Sequence, residues 1–144
     1  MNFKAIILAA GKGTRMKSKN PKVVHKVCGK EMVNHVIDIS NKSGVNDVVV
    51  ILGHGSETVK NVIPEDAIVV MQTEQLGTGH AVKMAKDTIN DDDIIVVLCG
   101  DTPLIEEETL KKLFDYHLEN EYMATVLTTK VDDQIGRASC RERV

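Results

Sequence analysis

From Leu8 the chain reads Leu8-Ala9-Ala10-Gly11-Lys12-Gly13-Thr14-Arg15-Met16, and Pro21-Lys22 follows shortly after. Two alanines and two glycines strip side-chain bulk from a turn, while Arg15 and Lys22 place cations just downstream. A turn of this composition lets backbone N–H groups approach phosphate oxygens whose charge the cations offset. The ligand expected here is a nucleotide or another phosphorylated small molecule. Other phosphate motifs fail at single residues. A dinucleotide fingerprint requires a third glycine three positions after the second, and Met16 stands there. A Walker A loop requires Ser or Thr after Gly-Lys, and Gly11-Lys12 is followed by Gly13. The kinase glycine loop fails for want of the same third glycine. A surface turn using glycine for geometry and lysine for solubility is the plain alternative; Arg15 and Pro21-Lys22 argue against it.

Two further stretches carry residue types suited to a ligand. Gln72-Thr73-Glu74-Gln75-Leu76-Gly77-Thr78-Gly79-His80-Ala81 begins with a primary amide, donor and acceptor at once, able to read the imide edge of a pyrimidine. Gly77 and Gly79 would allow close backbone approach, and Thr78 would cap the next helix and offer a hydroxyl. A capped loop without any ligand would use the same residues. In Cys99-Gly100-Asp101-Thr102-Pro103-Leu104, Asp101 behind a glycine at a strand end could bind Mg²⁺ between phosphates. An ordinary strand-to-turn aspartate is the alternative. Asp91-Asp92-Asp93 precedes its strand, on the opposite edge, and reads as a solvated turn. His54, between two glycines at a strand end, could line the cleft. The five histidines show no metal-ligand spacing, and the three cysteines form neither a disulfide framework nor a zinc motif.

The elements that must position these loops alternate. Strand-like runs are Phe3 to Leu8, Asp47 to Leu52, Ala67 to Met71, Ile94 to Cys99 and Met123 to Thr128. They are continuous in Val, Ile and Leu, as strands buried on both faces are. Helices are expected over Glu31 to Asn41, with Met32, Val33, Val36 and Ile37 on one face and Gly44 as a stop; from Ser56 as N-cap to a point before Pro64; over Thr78 to Ile89, with Ala81, Val82 and Ala85 inward; and over Glu106 to Leu118, opening on three glutamates. Such alternation predicts an α/β fold with a doubly wound, mainly parallel sheet. Ligands of such sheets bind at the carboxyl ends of the strands, where the three loops would converge.

At 144 residues the chain is one domain's worth, enough to bury about two-thirds of its unfolded surface. Hydrophobic content of 42% and charged content of 27% are those of a soluble globular protein. A formal net charge of -3 gives no electrostatic case for nucleic acid or anionic membrane as a partner. No run approaches a membrane span and no signal peptide is visible, so a cytoplasmic location is expected.

The motifs LAAGKGTRM with the following Pro21-Lys22, QLGTGHA, and GDTPL after a buried strand together resemble the sugar-1-phosphate nucleotidyltransferases. QLGTGHA and Gly29-Lys30-Glu31-Met32-Val33-Asn34-His35-Val36 narrow the resemblance to the uridylyltransferase domain of the bacterial bifunctional enzymes that make UDP-N-acetylglucosamine. It covers about residues 3 to 133. It implies a Rossmann-like domain in which the backbone of Leu8, Ala9, Ala10 and Gly11, with Gly13, holds the nucleotide. Lys22 would contact phosphate and Arg15 would sit over the departing pyrophosphate, the two catalytic cations. Gln72, Gly77 and Thr78 would read uracil. Asp101 would carry Mg²⁺, with Cys99 and Gly100 lining the same site. The substrates implied are UTP and N-acetylglucosamine-1-phosphate, giving UDP-N-acetylglucosamine and pyrophosphate for cell-envelope precursors. A cytidylyl- or thymidylyltransferase with the same loop, or a non-catalytic nucleotide-binding module, are the other readings. Homo-oligomerisation of the full-length protein is left open.

The chain departs from that family at its end. The family's domain is longer and is followed by a left-handed β-helix acetyltransferase domain, for which no repeat pattern occurs here. The family's second metal ligand, an asparagine, and most sugar contacts would fall beyond Val144. Residues 1–133 are expected to be the N-terminal part of the nucleotidyltransferase domain, incomplete at its C-terminus. Residues 134–144, Gln134 to Val144, are expected to be an atypical, non-native tail; a basic tail that binds a partner is the rival reading. A fragment of this kind is expected to expose an apolar edge and face of its sheet.

Overall fold

The computed structural model describes residues 2–11 and 13–129. The chain runs β1 (Asn2–Ala9), β2 (Lys26–Val27), β3 (Lys30–Glu31), α1 (Met32–Lys42), β4 (Asp47–Leu52), α2 (Ser56–Lys60), β5 (Ile68–Met71), α3 (Thr78–Met84), β6 (Asp93–Cys99) and α4 (Glu107–Glu119). Short 3₁₀ turns occur at Thr14–Met16, Lys22–Val24 and Lys86–Thr88. The main sheet has four parallel strands in the order β5-β4-β1-β6. The chain therefore builds outward from β1 through β4 and β5, then returns to the other side of β1. The loops after β1 and β6 flank the place where that direction reverses, which is where open parallel sheets form ligand crevices.

The register explains the core. Ile6 sits opposite Val49 on one side and Val97 on the other, and Leu8 opposite Ile51 and Cys99. Ile6, Val49 and Ile51 face Ala81 and Ala85 of α3, with Leu8, Val70, Val82 and Ile89 packed around them. Ala5, Ile7, Val48 and Val50 alternate with these and point the other way, and all are buried. On α1, which also packs on β1 and β4, Val33, Val36 and Ile37 are buried. Small alanines on α3 let that helix approach the sheet closely. Helices on both faces make the fold doubly wound, as the alternation predicted.

Four expectations are corrected. First, β6 is not buried on both faces: Val96 and Leu98 are buried, whereas Ile95 and Val97 are 37% and 45% exposed. β6 is the last strand of the sheet on its side, so one of its faces goes uncovered among the described residues. Second, Met123 to Thr128 forms no strand, and Met123, Val126 and Leu127 are exposed. A strand exists only through a partner ladder, and no described residue pairs with this run. Third, the helices start differently. Gly55 and Gly77 occupy the N-cap positions of α2 and α3, while Ser56 and Thr78 are the first helical residues, without a side-chain cap bond. Fourth, Asp93 is not part of a solvated turn. Its side chain is buried, 3.1 Å from Lys4 Nζ, and only Asp91 and Asp92 are exposed.

The pattern also missed the antiparallel pair β2–β3, whose two-residue strands are too short to show a period. Cys28 and Gly29 close it, both with positive φ (51° and 82°), as a tight two-residue hairpin turn needs. Two compact units divide the chain: residues 1–112, with the sheet, and residues 113–144. Within the second, the Tyr116 and Tyr122 rings lie 5.8 Å apart and His117 Nδ1 meets Thr125 Oγ1 at 2.9 Å. The sequence expectation for residues 134–144 lies outside the described residues.

Candidate nucleotide-binding site

The carboxyl edge of the sheet carries the loops after β1, β4, β5 and β6, all within residues 1–112. After Ala9 the chain leaves the sheet through Ala10 and the exposed Gly11. A 3₁₀ turn then closes as Met16 N–H donates to Gly13 O at 2.9 Å. Gly13 takes φ +57°, and a Cβ there would lie 2.9 Å from Lys22 Cβ. Glycine is thus required both for the backbone angle and for the approach of Lys22. Pro21, buried, sets up the next 3₁₀ turn, whose Val23 is buried while Lys22 turns outward. Arg15 is exposed on the first turn.

On the other side of β1, Gly100 prolongs the pairing beyond Cys99 by donating its N–H to Leu8 O at 3.0 Å. A Cβ at Gly100 would lie 3.0 Å from that oxygen and 3.3 Å from Val23 Cγ1, so the turn after β6 nestles against both parts of the first loop. Asp101 follows, and its Oδ2 lies 2.7 Å from Lys22 Nζ. The Thr102 hydroxyl donates back to Cys99 O at 2.7 Å and steadies the turn.

The remaining loops buttress the first. Gly53, after β4, has room only for hydrogen, since a Cβ would meet Ala10 O at 2.9 Å. Gln75 reaches across from the loop after β5, its Nε2 donating to Ala10 O at 2.7 Å. Gln72 leaves β5 with its N–H on Leu52 O at 2.7 Å and its side chain buried. Its Nε2 meets Gly77 O at 3.2 Å and His80 Nδ1 at 3.0 Å. Gly77 holds φ +98°, in the left-handed region that suits glycine.

The structure thus brings Leu8, Ala10, Gly13, Lys22, Gly100 and Asp101 into one contiguous cluster, and Gln72 with Gly77 into a second at the same edge. The backbone of Ala9 ends β1, with its side chain in the core. Cys99 and Thr78 are exposed at their strand and helix ends, and Arg15 is exposed on its 3₁₀ turn. His54 is exposed in the turn after β4. Sequence reading missed Gly53, Gln75 and His80. Their roles are contacts to residues far away in the chain or across a turn, and local spacing carries no signal for those.

Among the described residues, no group of three or more His, Cys, Asp or Glu could hold a metal ion. The donor set offered is the single carboxylate of Asp101. That fits Mg²⁺ of the kind that takes one or two carboxylates and completes its shell with phosphate oxygens and water. No helix among the described residues is long and apolar enough to cross a membrane.

A parallel sheet whose reversal point carries a glycine turn, Lys22 and Asp101 accords with a nucleotidyltransferase class: the chain belongs to the MobA-like NTP transferase domain family, whose profile matches residues 5–142. Over 136 residues it is 75% identical to the bifunctional protein GlmU of Clostridioides difficile (strain 630), matching 94% of this chain and 30% of that protein. It is 54% identical over 136 residues to the GlmU of Alkaliphilus metalliredigens (strain QYMF), again 94% of this chain and 30% of that protein. The chain thus spans about 30% of the length of the curated relatives it matches. In three dimensions it is similar to a UTP-bound UGPase from Acinetobacter baumannii, with a TM-score of 0.71 and 20% identity, over 84% of this chain and 54% of the other. That likeness supports the fold.

Proposed function

We propose that this chain forms the UTP-holding part of a uridylyltransferase that joins UTP to N-acetylglucosamine-1-phosphate, releasing pyrophosphate, for cell-envelope precursor synthesis in the cytoplasm. The observation that carries the reading is the cluster at the reversal point. Lys22, from the same loop as the bulk-free turn, lies 2.7 Å from the carboxylate of Asp101 in the loop after β6, in a chain 75% identical to a GlmU protein. The Leu8–Gly11 backbone and Lys22 would hold the phosphates, Arg15 would face the pyrophosphate, and Gln72 with Gly77 and Thr78 would meet uracil. Cys99 and Gly100 would line the wall beside Asp101.

The chemistry asks for no general base. A sugar-1-phosphate has a second pKa of about 6, so its oxygen is largely ionised near neutral pH. That oxygen attacks the α-phosphorus of UTP, and the bond to the β-phosphate oxygen breaks as pyrophosphate leaves. The barrier lies in bringing two anions together in line. Lys22 and Arg15 would offset that charge, and the β1–β6 pairing, prolonged by Gly100 N–H on Leu8 O, would fix the base of the cradle. Mg²⁺ held by Asp101 would add charge neutralisation across the phosphates.

The test is thermal stability of the chain with UTP, dTTP, CTP, ATP and GTP, each with and without Mg²⁺. A ligand present at a hundred times its Kd and binding only the folded state stabilises it by about 2.7 kcal/mol. Selective stabilisation by UTP with Mg²⁺ is expected. Selectivity for CTP or dTTP would move the reading to another transferase of the family. Equal stabilisation with and without Mg²⁺ would favour a nucleotide-binding module without catalysis, and indifference to every nucleotide would overturn the site.

A further inference from the structure

Gln72 is nine-tenths buried, and the atoms around its amide leave it one orientation. Gly77 O, 3.2 Å away, can only accept a hydrogen bond, so the amide atom facing it is Nε2. Reversal would bring two carbonyl oxygens together. The second Nε2 hydrogen then points to His80 Nδ1 at 3.0 Å. That ring nitrogen must accept, which puts the ring proton on Nε2. Both amide hydrogens are thereby occupied within the protein. That leaves Oε1 as the amide atom that neither Gly77 nor His80 engages, the one with capacity left for a ligand.

We propose that His80 is a specificity-determining positioning residue, whose Nδ1 adds a second hold to the Gln72 amide that Gly77 O orients, so that the amide presents only an acceptor to the base. This rests on the reading that Gln72 meets the base. A glutamine free to turn over offers an acceptor to the N3–H of uracil or a donor to the bare N3 of cytosine, at similar cost. With His80 Nδ1 and Gly77 O both holding Nε2, only the first pattern survives. Cytosine N3 would set its lone pair against those of Oε1. The ligand class selected is a pyrimidine carrying an imide N–H, and the selection comes from a residue that does not touch the base.

The experiment measures Kd for UTP and CTP by equilibrium titration of the full chain and of His80→Ala, His80→Asn and Gln72→Ala. Asn places an acceptor oxygen on Cγ, the same bonded position that Nδ1 holds in histidine. His80→Ala is expected to reduce the UTP-over-CTP preference by about fivefold, the effect of one lost hydrogen bond, and His80→Asn to restore most of it. Long-range ¹H–¹⁵N NMR of the imidazoles is expected to show His80 protonated at Nε2 and bare at Nδ1. A Nδ1–H tautomer overturns the proposal whatever the affinities. So does a His80→Ala variant that keeps the full preference while Gln72→Ala loses it, or a His80→Asn variant no better than His80→Ala. If Gln72→Ala itself keeps the preference, or the unaltered chain binds neither nucleotide, the underlying reading of the site fails, and this inference with it.

Discussion

Lys22 Nζ lies 2.7 Å from Asp101 Oδ2, joining the loops that leave β1 and β6 on either side of the point where the sheet reverses. Both side chains are more than a third exposed (38% and 37%), so the pair is worth no more than about 1 kcal/mol. A pair that weak is broken at small cost. Phosphate would draw Lys22 away and a divalent cation would take over Asp101, so the two ligands should assist one another's binding.

Asp101→Asn is therefore expected to bind UTP nearly as well without Mg²⁺ as with it, because Lys22 no longer has a competing carboxylate. Lys22→Ala should weaken UTP by about tenfold, the loss of one charge-assisted contact, while keeping the dependence on Mg²⁺. Calorimetric titration of both variants across Mg²⁺ concentrations reads this out. Wild-type behaviour in both would remove the pair from the site.

The glycines around the first loop divide into two kinds. A Cβ at Gly53 would press on Ala10 O at 2.9 Å and Ala10 Cβ at 3.0 Å, and neither can swing aside. Gly53→Ala is expected to destabilise the fold by about 1–3 kcal/mol, as overpacking does, and to weaken UTP by displacing Ala10. Urea unfolding with and without UTP separates the two effects.

At Gly11, by contrast, a Cβ would meet nothing within 4 Å. Any need for glycine there belongs to the ligand. Gly11→Ala should leave unfolding within about 0.5 kcal/mol of wild type, yet weaken UTP by an order of magnitude by holding phosphate off the backbone. A variant with unchanged UTP affinity would show that phosphate does not approach at this residue.

The sequence made most of this edge legible because its signals were local. Val48 to Leu52 is an uninterrupted apolar run behind Asp47, and β4 forms at the expected bounds, while β1 differs by one residue at each end. The turn of Gly11 and Gly13 and the aspartate after Gly100 could be placed on the carboxyl edge because each follows a strand of a parallel sheet. Non-local contacts were not legible. Apolar content at Met123 to Thr128 suggested a strand, but nothing in a run of residues reports whether a neighbour exists to pair with. Asp93 looked like its neighbours Asp91 and Asp92, and only the register of β6 against β1 turns it toward Lys4. Ser56 and Thr78 had the chemistry of helix caps, and the glycines before them took the position because each turn needs a positive φ.

Gln75 is the clearest of the residues that local spacing hid. Its Nε2 holds Ala10 O from a loop 65 residues further along the chain. Gln75→Ala removes a tie between the loop that would hold phosphate and the loop that would hold the base, without touching either element of the sheet. One neutral hydrogen bond is worth about 1 kcal/mol, so UTP affinity should fall about fivefold. Gln75→Glu should do worse, setting a carboxylate against the Ala10 carbonyl. If both variants bind as wild type does, the two loops are positioned independently.

At the opposite edge of the sheet, Lys4 is buried with its Nζ 3.1 Å from Asp93 and 3.6 Å from Asp47, and it also donates to Thr88 O. The backbone N–H of Asn90 and then the Lys4 ammonium hold the Asp93 carboxyl below its ordinary value. The sign follows from that direction. A carboxyl that ionises more easily folded than unfolded contributes stability present above the unfolded value of about 3.9, and that contribution is lost as pH falls through the lower folded value. Stability should therefore decline on acidification below about pH 4, and Asp93→Asn should flatten that decline. At neutral pH the same variant should be less stable than wild type, because Lys4 stays buried with only the more distant Asp47 to offset it. Urea midpoints across this range check both limbs. An Asp93→Asn chain with an unchanged acid limb would place the titrating group elsewhere in the fold.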